Sequence, residues 1–294
     1  MKKYLECIPC FFKQALEAAR IAGADDSTQR YLMNEVARII PEFNLDASPP
    51  EMARSIYRIV REITGLEDPY EQIKEQSNQF ALGIYDKLVQ KLEQSSDRLL
   101  TAVKLAIAGN IIDYGAKNSL NVDEELEKIL AGEHETIQHE ETRFFQFDAF
   151  KSALKKSKNI LYLADNAGEL VFDRILLEEI KRIDSNMEIS VAVKEKPAIN
   201  DALIKDAVQC GITEVAQVIS SGSDAPGTLL PFCMESFREL FKNADMVISK
   251  GQGNFETLSN EDRPIFFLLL TKCPVIADHI GCSVGDVILL SRDN

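Results

Sequence analysis

The residues with the most chemical content lie in Asp165-Asn166-Ala167-Gly168-Glu169, which follows the apolar run Ile160–Ala164 and precedes an amphipathic stretch, Leu170–Ile180. A strand that ends in Asp-Asn and turns through glycine into a helix offers oxygen ligands to a hard cation. The helix start offers unpaired N–H groups and a positive dipole end to an anion. Two further segments have the same character. Lys194–Asp201 contains the Asn200-Asp201 pair, and Lys250-Gly251-Gln252-Gly253-Asn254-Phe255-Glu256 follows the apolar run Met246–Ser249. Asp165, Asn166 and Asp201 together make an oxygen-rich set for a divalent metal such as Mg²⁺ or Mn²⁺, with positions left for water and a phosphate oxygen. Lys250 can meet a phosphate as a point charge, while Gly251 and Gly253 let backbone amides approach it. Each residue also has a local explanation. Asp and Asn favour strand ends and caps, Glu169 complements a helix dipole, and a lysine can snorkel from a glycine turn. Ser220–Thr228 is a candidate substrate loop, although its Pro226 and Gly227 are equally suited to starting a helix.

The elements that must position these loops differ between the two halves of the chain. Up to about residue 157 the periodicity is helical: Phe11–Ala22, Thr28–Ile40, Pro49 to Gly65, a long Tyr70–Leu92, a segment capped by Asp97 that reaches Gly109, then Asp123–Leu130 and Phe144–Leu154. From residue 158, short apolar runs alternate with helical periods. Strands are predicted at Ile160–Ala164, Ile189–Val193, Val215–Ile219, Met246–Ser249, Ile265–Leu270 and Pro274–Ala277. The expected fold is α/β: a Rossmann-like, doubly wound, mostly parallel sheet (158–294) preceded by an all-helical domain (1–157). Open sheets of this kind bind ligands beyond the carboxyl ends of their strands, where the three segments would converge.

Composition narrows the function classes. The 294 residues carry a formal charge of −14, which argues against general nucleic-acid binding. Mean hydropathy is −0.12 and no apolar run approaches the roughly 18 residues of a membrane span, so a soluble, cytoplasmic protein with no membrane partner is expected. Six scattered cysteines suit small core residues; Cys7-Ile8-Pro9-Cys10 is half of a four-ligand zinc site and has no strand before it for a redox motif. His134 and His139 lack the i, i+4 spacing of a helical metal pair, and His279 reads as structural. No P-loop, no Gly-x-Ser-x-Gly elbow, and no Gly-x-Gly-x-x-Gly after the first strand is present.

Taken in order, Gly109-Asn110-Ile111-Ile112-Asp113, Asp165–Glu169, Asn200-Asp201 and Lys250–Glu256 resemble the motifs of the damage-control phosphatases, a metal-dependent family first catalogued as a domain of unknown function. Cys7-x-x-Cys10 resembles its short-chain microbial branch, and the Arg-Thr-x-Lys motif of the longer-chain branch is absent. The resemblance implies metal ligation by Asp165, Asn166 and Asp201, with Mn²⁺, Ni²⁺, Co²⁺ or Mg²⁺ as cofactor. It also implies a phosphate contact from Lys250 and an approach of Asn110 and Asp113 to the cleft from the helical side. Gly168, Glu169, Asn200 and Gln252 complete the expected substrate contacts, with Asp165 and Lys250 as the catalytic pair. The implied activity is hydrolysis of phosphate monoesters of small metabolites, by water or through an aspartyl-phosphate on Asp165. The competing readings are an S-adenosylmethionine-dependent methyltransferase on the same sheet, and a non-enzymatic metal or redox module centred on Cys7 and Cys10.

Overall fold

The structure, a computed structural model, describes residues 5–44, 47–110, 127 and 143–291. The motif residue Asp113, the predicted helix Asp123–Leu130 apart from Glu127, and His134 and His139 therefore lie outside the described residues.

Six helices open the described chain: α1 (Cys7–Ile21), α2 (Asp26–Ile39), α3 (Pro49–Thr64), α4 (Glu71–Gly83), α5 (Tyr85–Gln94) and α6 (Arg98–Ala108). Local chemistry sets their ends. The Asp25 carboxylate accepts from the Thr28 N–H at 2.8 Å and the Asp97 carboxylate from the Leu100 N–H at 3.0 Å, each satisfying a donor the helix cannot. Gly65 closes α3 in the left-handed region. The long helix expected over Tyr70–Leu92 is two, because the ladder stops at Gly83 and restarts at Tyr85 with Ile84 at φ −107° and ψ 0°.

A seventh helix, α7 (Phe147–Lys156), leads into the sheet. The remaining elements are β1 (Asn159–Leu163), α8 (Glu169–Ile183), β2 (Glu188–Val193), α9 (Ile204–Gln209), β3 (Gln217–Ser220), α10 (Glu235–Asn243), β4 (Met246–Lys250), α11 (Gly251–Leu258), β5 (Phe266–Leu270), α12 (Pro274–Ile280) and β6 (Val287–Ser291). The sheet order is β3-β2-β1-β4-β5-β6, parallel throughout except for β6, which runs antiparallel to β5. The predicted Rossmann-like architecture is present. One predicted strand is wrong: Pro274–Ala277 begins α12, since a proline at the first helical position has its φ already set and loses no hydrogen bond. The sixth strand lies further on, at Val287–Ser291.

Packing groups the helices in two. Helices α1–α3 close on their own cluster around Phe11, Leu32, Met52, Ile56 and Val60. Helices α4–α6 instead share a core with α8 and one face of the sheet, where Leu99, Val103, Ile107, Phe172, Leu176, Tyr162 and Ile248 meet. The other face packs Leu161, Val247 and Phe267 against α10, α11 and α12. With α4–α6 on one side and α1–α3 at its edge, the sheet presents its carboxyl ends to the helical half of the chain.

Candidate functional site

The chain winds outward from β1 to β2 and β3, then returns to β4 on the other side of β1. That reversal places the loops after β1 and β4 side by side, at the kind of switch point where open sheets hold ligands. Asp165 follows β1 and Gly251 follows β4. They are so close that a Cβ on Gly251, whose φ is +77°, would lie 1.9 Å from Asp165 Oδ2. Asn254, one turn into α11, ties these ends together by donating to the carbonyls of Ala164 at 3.2 Å and Lys250 at 2.8 Å. Its own carbonyl oxygen accepts from the Thr228 hydroxyl at 2.7 Å, which joins the Ser220–Thr228 loop to the same corner.

The loop after β2 reaches Asp165 through its backbone. The Ala202 N–H donates to the Asp165 carbonyl at 2.8 Å, the Ala167 N–H donates to the Asn200 carbonyl at 3.0 Å, and Asn166 pairs with Asp201 in a short antiparallel bridge. To make this turn Ile199 takes φ +51°. A β-branched residue there costs roughly 1–2 kcal/mol, a strain borne beside Asn200 and Asp201.

Asp165, Asn166, Asn200 and Asp201 line one end of a cavity of about 540 Å³, with Gln252, Gly253 and Lys272 beside them. Helices α1 and α3 cover it. Arg54 pairs with Asp224 of the Ser220–Thr228 loop, and Arg61 donates to the Pro197 carbonyl at 3.1 Å, so α3 is fastened to loops on two strand ends. Burial and the carboxylates of Glu169 and Asp201 push the Asp165 carboxyl well above the usual range, with Lys272 and Lys250 opposing. Lys194 Nζ stands 3.4 Å from Asp201 Oδ2 and also donates to the Gly227 carbonyl.

The donor set suits a hard divalent cation. The Asn166 amide nitrogen donates to Asp165 Oδ2 at 3.1 Å and to Glu169 Oε1 at 2.9 Å, so its carbonyl oxygen is the atom it can offer. Crowded, desolvated carboxylates are what a divalent cation would relieve. Among the described residues no group of three or more His, Cys, Asp or Glu side chains is arranged to hold a metal. The set is thus two carboxylates and an amide, and water or a phosphate oxygen would have to complete it.

Behind this floor lies a sealed polar network. Lys250 is fully buried and its ammonium donates to Asp173 at 2.6 Å and to Glu169 at 3.3 Å. The Tyr162 hydroxyl donates to Asp173 at 2.7 Å, and the Asn110 amide donates to Glu169. Burial draws the Lys250 ammonium down, but Asp173 and Glu169 more than offset it and hold it above the ordinary lysine range. Burial raises Asp173 to about 6 despite Lys250.

The structure therefore divides the predicted residues. Asp165, Asn166, Asn200, Asp201 and Gln252 come together on the cavity wall. Lys250, Glu169 and Asn110 meet one another in the network behind Asp165, and the Lys250 ammonium is occupied by two carboxylates instead of reaching into the cavity. Gly168 turns away as well. Its N–H donates to Asn78 Oδ1 at 2.7 Å, and a Cβ on it would meet Ser77 at 2.9 Å. The start of α8 is thus capped by α4, whereas the first turn of α11 contributes Gln252 and Gly253 to the cavity wall. Sequence reasoning missed Lys194 and Lys272, which follow β2 and β5 at the same sheet edge, and Tyr162 and Asp173 in the network. Asp173 had a readable signal, because it falls four residues after Glu169 on one helix face. Cys7 and Cys10 lie in the first turns of α1, line the cavity and form no disulfide.

The chain is similar to known proteins over nearly its whole length. A family model described as the damage-control phosphatase ARMT1-like domain matches residues 4–288. An uncharacterised protein of Methanocaldococcus jannaschii is 37% identical over 98% of this chain and 94% of its own length. A protein of Pyrococcus horikoshii named a damage-control phosphatase is 36% identical over 99% of this chain and 98% of its own. A crystal structure of a DUF89 family protein from P. horikoshii superposes with a TM-score of 0.87 at 34% identity, covering 99% of both chains.

Proposed function

The chain belongs to the damage-control phosphatase ARMT1-like family, and from that premise we propose that it is a metal-dependent phosphatase that hydrolyses phosphate monoesters of small metabolites, sugar phosphates among them. The observation that carries this reading is the juxtaposition at the sheet's switch point. Asp165, Asn166 and Asp201 share one end of the cavity with the N-terminus of α11 at Gly251.

Asp165, Asn166 and Asp201 would hold the cation. When bound, a divalent metal supplies positive charge that neutralises the phosphoryl oxygens and orients the attacking group. The chain's own residues then do the positioning. The first turn of α11 has N–H groups without helical partners, and glycines at 251 and 253 let a phosphate oxygen approach that backbone. Lys272, whose charge already bears on Asp165, is placed to counter the ester's negative charge. Lys194 holds the Asp201 carboxylate. Lys250 acts one layer back. It fixes Glu169, which in turn holds the Asn166 amide. Covering by α1 and α3 limits water at the reacting phosphate.

Phosphate release from a panel of sugar and nucleotide phosphates tests the proposal, using metal-stripped protein resupplied with Mg²⁺, Mn²⁺, Co²⁺ or Ni²⁺ in turn. Metal-dependent release that Asp165→Ala abolishes is the expected result. No release with any metal, from protein shown to be folded, would overturn it. Trapping of a phosphorylated Asp165 and retention of configuration at a chiral phosphorus would assign the attack to that carboxylate; inversion would assign it to water.

A further inference from the structure

Three of the six cysteines meet at one cavity. Cys7 and Cys10 line it from the first turns of α1, and Cys273 lines it from the end of the loop between β5 and α12. The other three lie elsewhere: Cys210 and Cys233 are buried in the core, and Cys282 Sγ sits 3.5 Å from the Thr271 hydroxyl. Cys10 is exposed and Cys273 half-buried, so solvent reaches both residues. Each sulfur is held by a glutamine of the same cavity wall. The Gln14 amide donates to Cys10 Sγ at 3.5 Å, and the Gln252 amide donates to Cys273 Sγ at 3.5 Å and to Glu256 at 3.1 Å. The two thiols also act on each other. Partial burial against the wall raises the Cys10 thiol, and the charges of Cys273 and Glu256 add to that rise, with Lys13 opposing. The phosphatase reading uses none of these sulfurs.

We propose that Cys10 and Cys273 form a reversible thiol-oxidation site, whose disulfide ties α1 to the β5–α12 loop across the cavity. Chain position sets this pair apart from Cys7 and Cys10. Those two are three residues apart on one helix, so a bond between them would constrain only the first turns of α1. A bond from Cys10 to Cys273 would join a helix that covers the cavity to the loop that carries Lys272. The step balances with a low-molecular-weight disulfide as oxidant. The Cys10 thiolate attacks one sulfur of the oxidant, forming a mixed disulfide and releasing one thiolate. The Cys273 thiolate then attacks the Cys10 sulfur and releases the second. The protein gives up two electrons and two protons, and the oxidant becomes two thiols. The bond requires the two Cα atoms within about 7 Å of each other, so the oxidised protein has α1 settled against the loop. With the cover fixed there, substrate entry and product release are obstructed. That consequence rests on the phosphatase reading; the disulfide itself does not.

The test treats metal-loaded full-length protein with oxidised glutathione, blocks the remaining thiols with iodoacetamide and maps disulfide-linked peptides by mass spectrometry. The expected result is a peptide linked through Cys10 and Cys273, two hydrogens lighter than its reduced halves together. Cys10→Ser and Cys273→Ser should each abolish it, and Cys7→Ser should leave it in place. Wild-type protein should lose phosphate release as the link forms and regain it with dithiothreitol, while Cys10→Ser keeps its activity through the same treatment. A link between Cys7 and Cys10, glutathione adducts that never resolve to a link, or full alkylation of Cys10 and Cys273 after oxidation would overturn the proposal. So would a link that forms without loss of release in protein that is active when reduced. Mapping of the wild type needs no variant, and it decides the site even where a substitution prevents folding. A link in protein that releases phosphate from no ester, reduced or oxidised, would uphold the oxidation site and count against the phosphatase reading alone.

Discussion

Replacing Gly251 with alanine isolates the contact between the two loops at the heart of the site. The substitution has two separable effects. At φ +77° an alanine carries a backbone cost of roughly 1–2 kcal/mol. Its Cβ would also lie 1.9 Å from Asp165 Oδ2 and 2.2 Å from Cγ, so the carboxylate must retreat by more than an ångström to restore an ordinary contact. Misplacement of that size at a reacting centre costs on the order of 10²-fold. Gly65 provides the control: it has φ +70° at the end of α3 and nothing within 4 Å of its added Cβ. Both variants should lose similar backbone stability, about 2–4 °C in Tm for each kcal/mol. Only Gly251→Ala should lose metal affinity and about a hundredfold or more in metal-dependent phosphate release. Thermal unfolding, calorimetric metal titration and release assays on the pair measure this directly. Activity of Gly251→Ala within twofold of Gly65→Ala would refute the placement of Asp165 as a working group.

Two further outcomes follow from the buried charges. Lys250→Met removes the cation from between Asp173 and Glu169 while leaving both carboxylates sealed in; urea unfolding should show a loss of about 3–5 kcal/mol, and a second substitution, Asp173→Leu, should recover part of it. A loss under about 1 kcal/mol would mean that the network is hydrated. Glu256 is held at about 7 against an ordinary 4.5, so the folded state binds its proton more tightly than the unfolded chain. That stabilisation is complete below about pH 4.5 and is lost as pH rises through 7. Glu256→Gln should therefore gain stability relative to the wild type across that interval, by on the order of 3 kcal/mol. A difference between the two proteins that does not change with pH would contradict the burial of this carboxyl.

The sheet was legible because parallel strands covered on both faces read as short apolar runs, and five of the six predicted runs are strands. The exception is instructive. Val275-Ile276-Ala277 is apolar enough for a strand, but Pro274 and a following left-handed Gly281 bracket a helix instead. That error concealed Lys272, which enters the cavity from the loop before α12. The cavity residues Asp165, Asn166 and Asp201, proposed to hold the cation, were legible because their chemistry is tied to the ends of the strands. Side-chain direction was not. Lys250 and Glu169 occupy the loops that motif reasoning selects, yet both face inward toward Asp173, because α8 presents Glu169 and Asp173 on its buried face. Strand order, and hence the meeting of Asp165 with Gly251, depends on long-range pairing that leaves no local trace. The break at Ile84 and the cap that Asn78 places on Gly168 are likewise properties of packing between helices.

The most direct measurement is the anomalous diffraction of a crystal grown with Mn²⁺ and inorganic phosphate. The account predicts one strong manganese peak bound by Asp165, Asn166 and Asp201, with a phosphate oxygen completing the site over the first turn of α11. A manganese peak ligated by other residues, or phosphate bound away from Gly251, would contradict it.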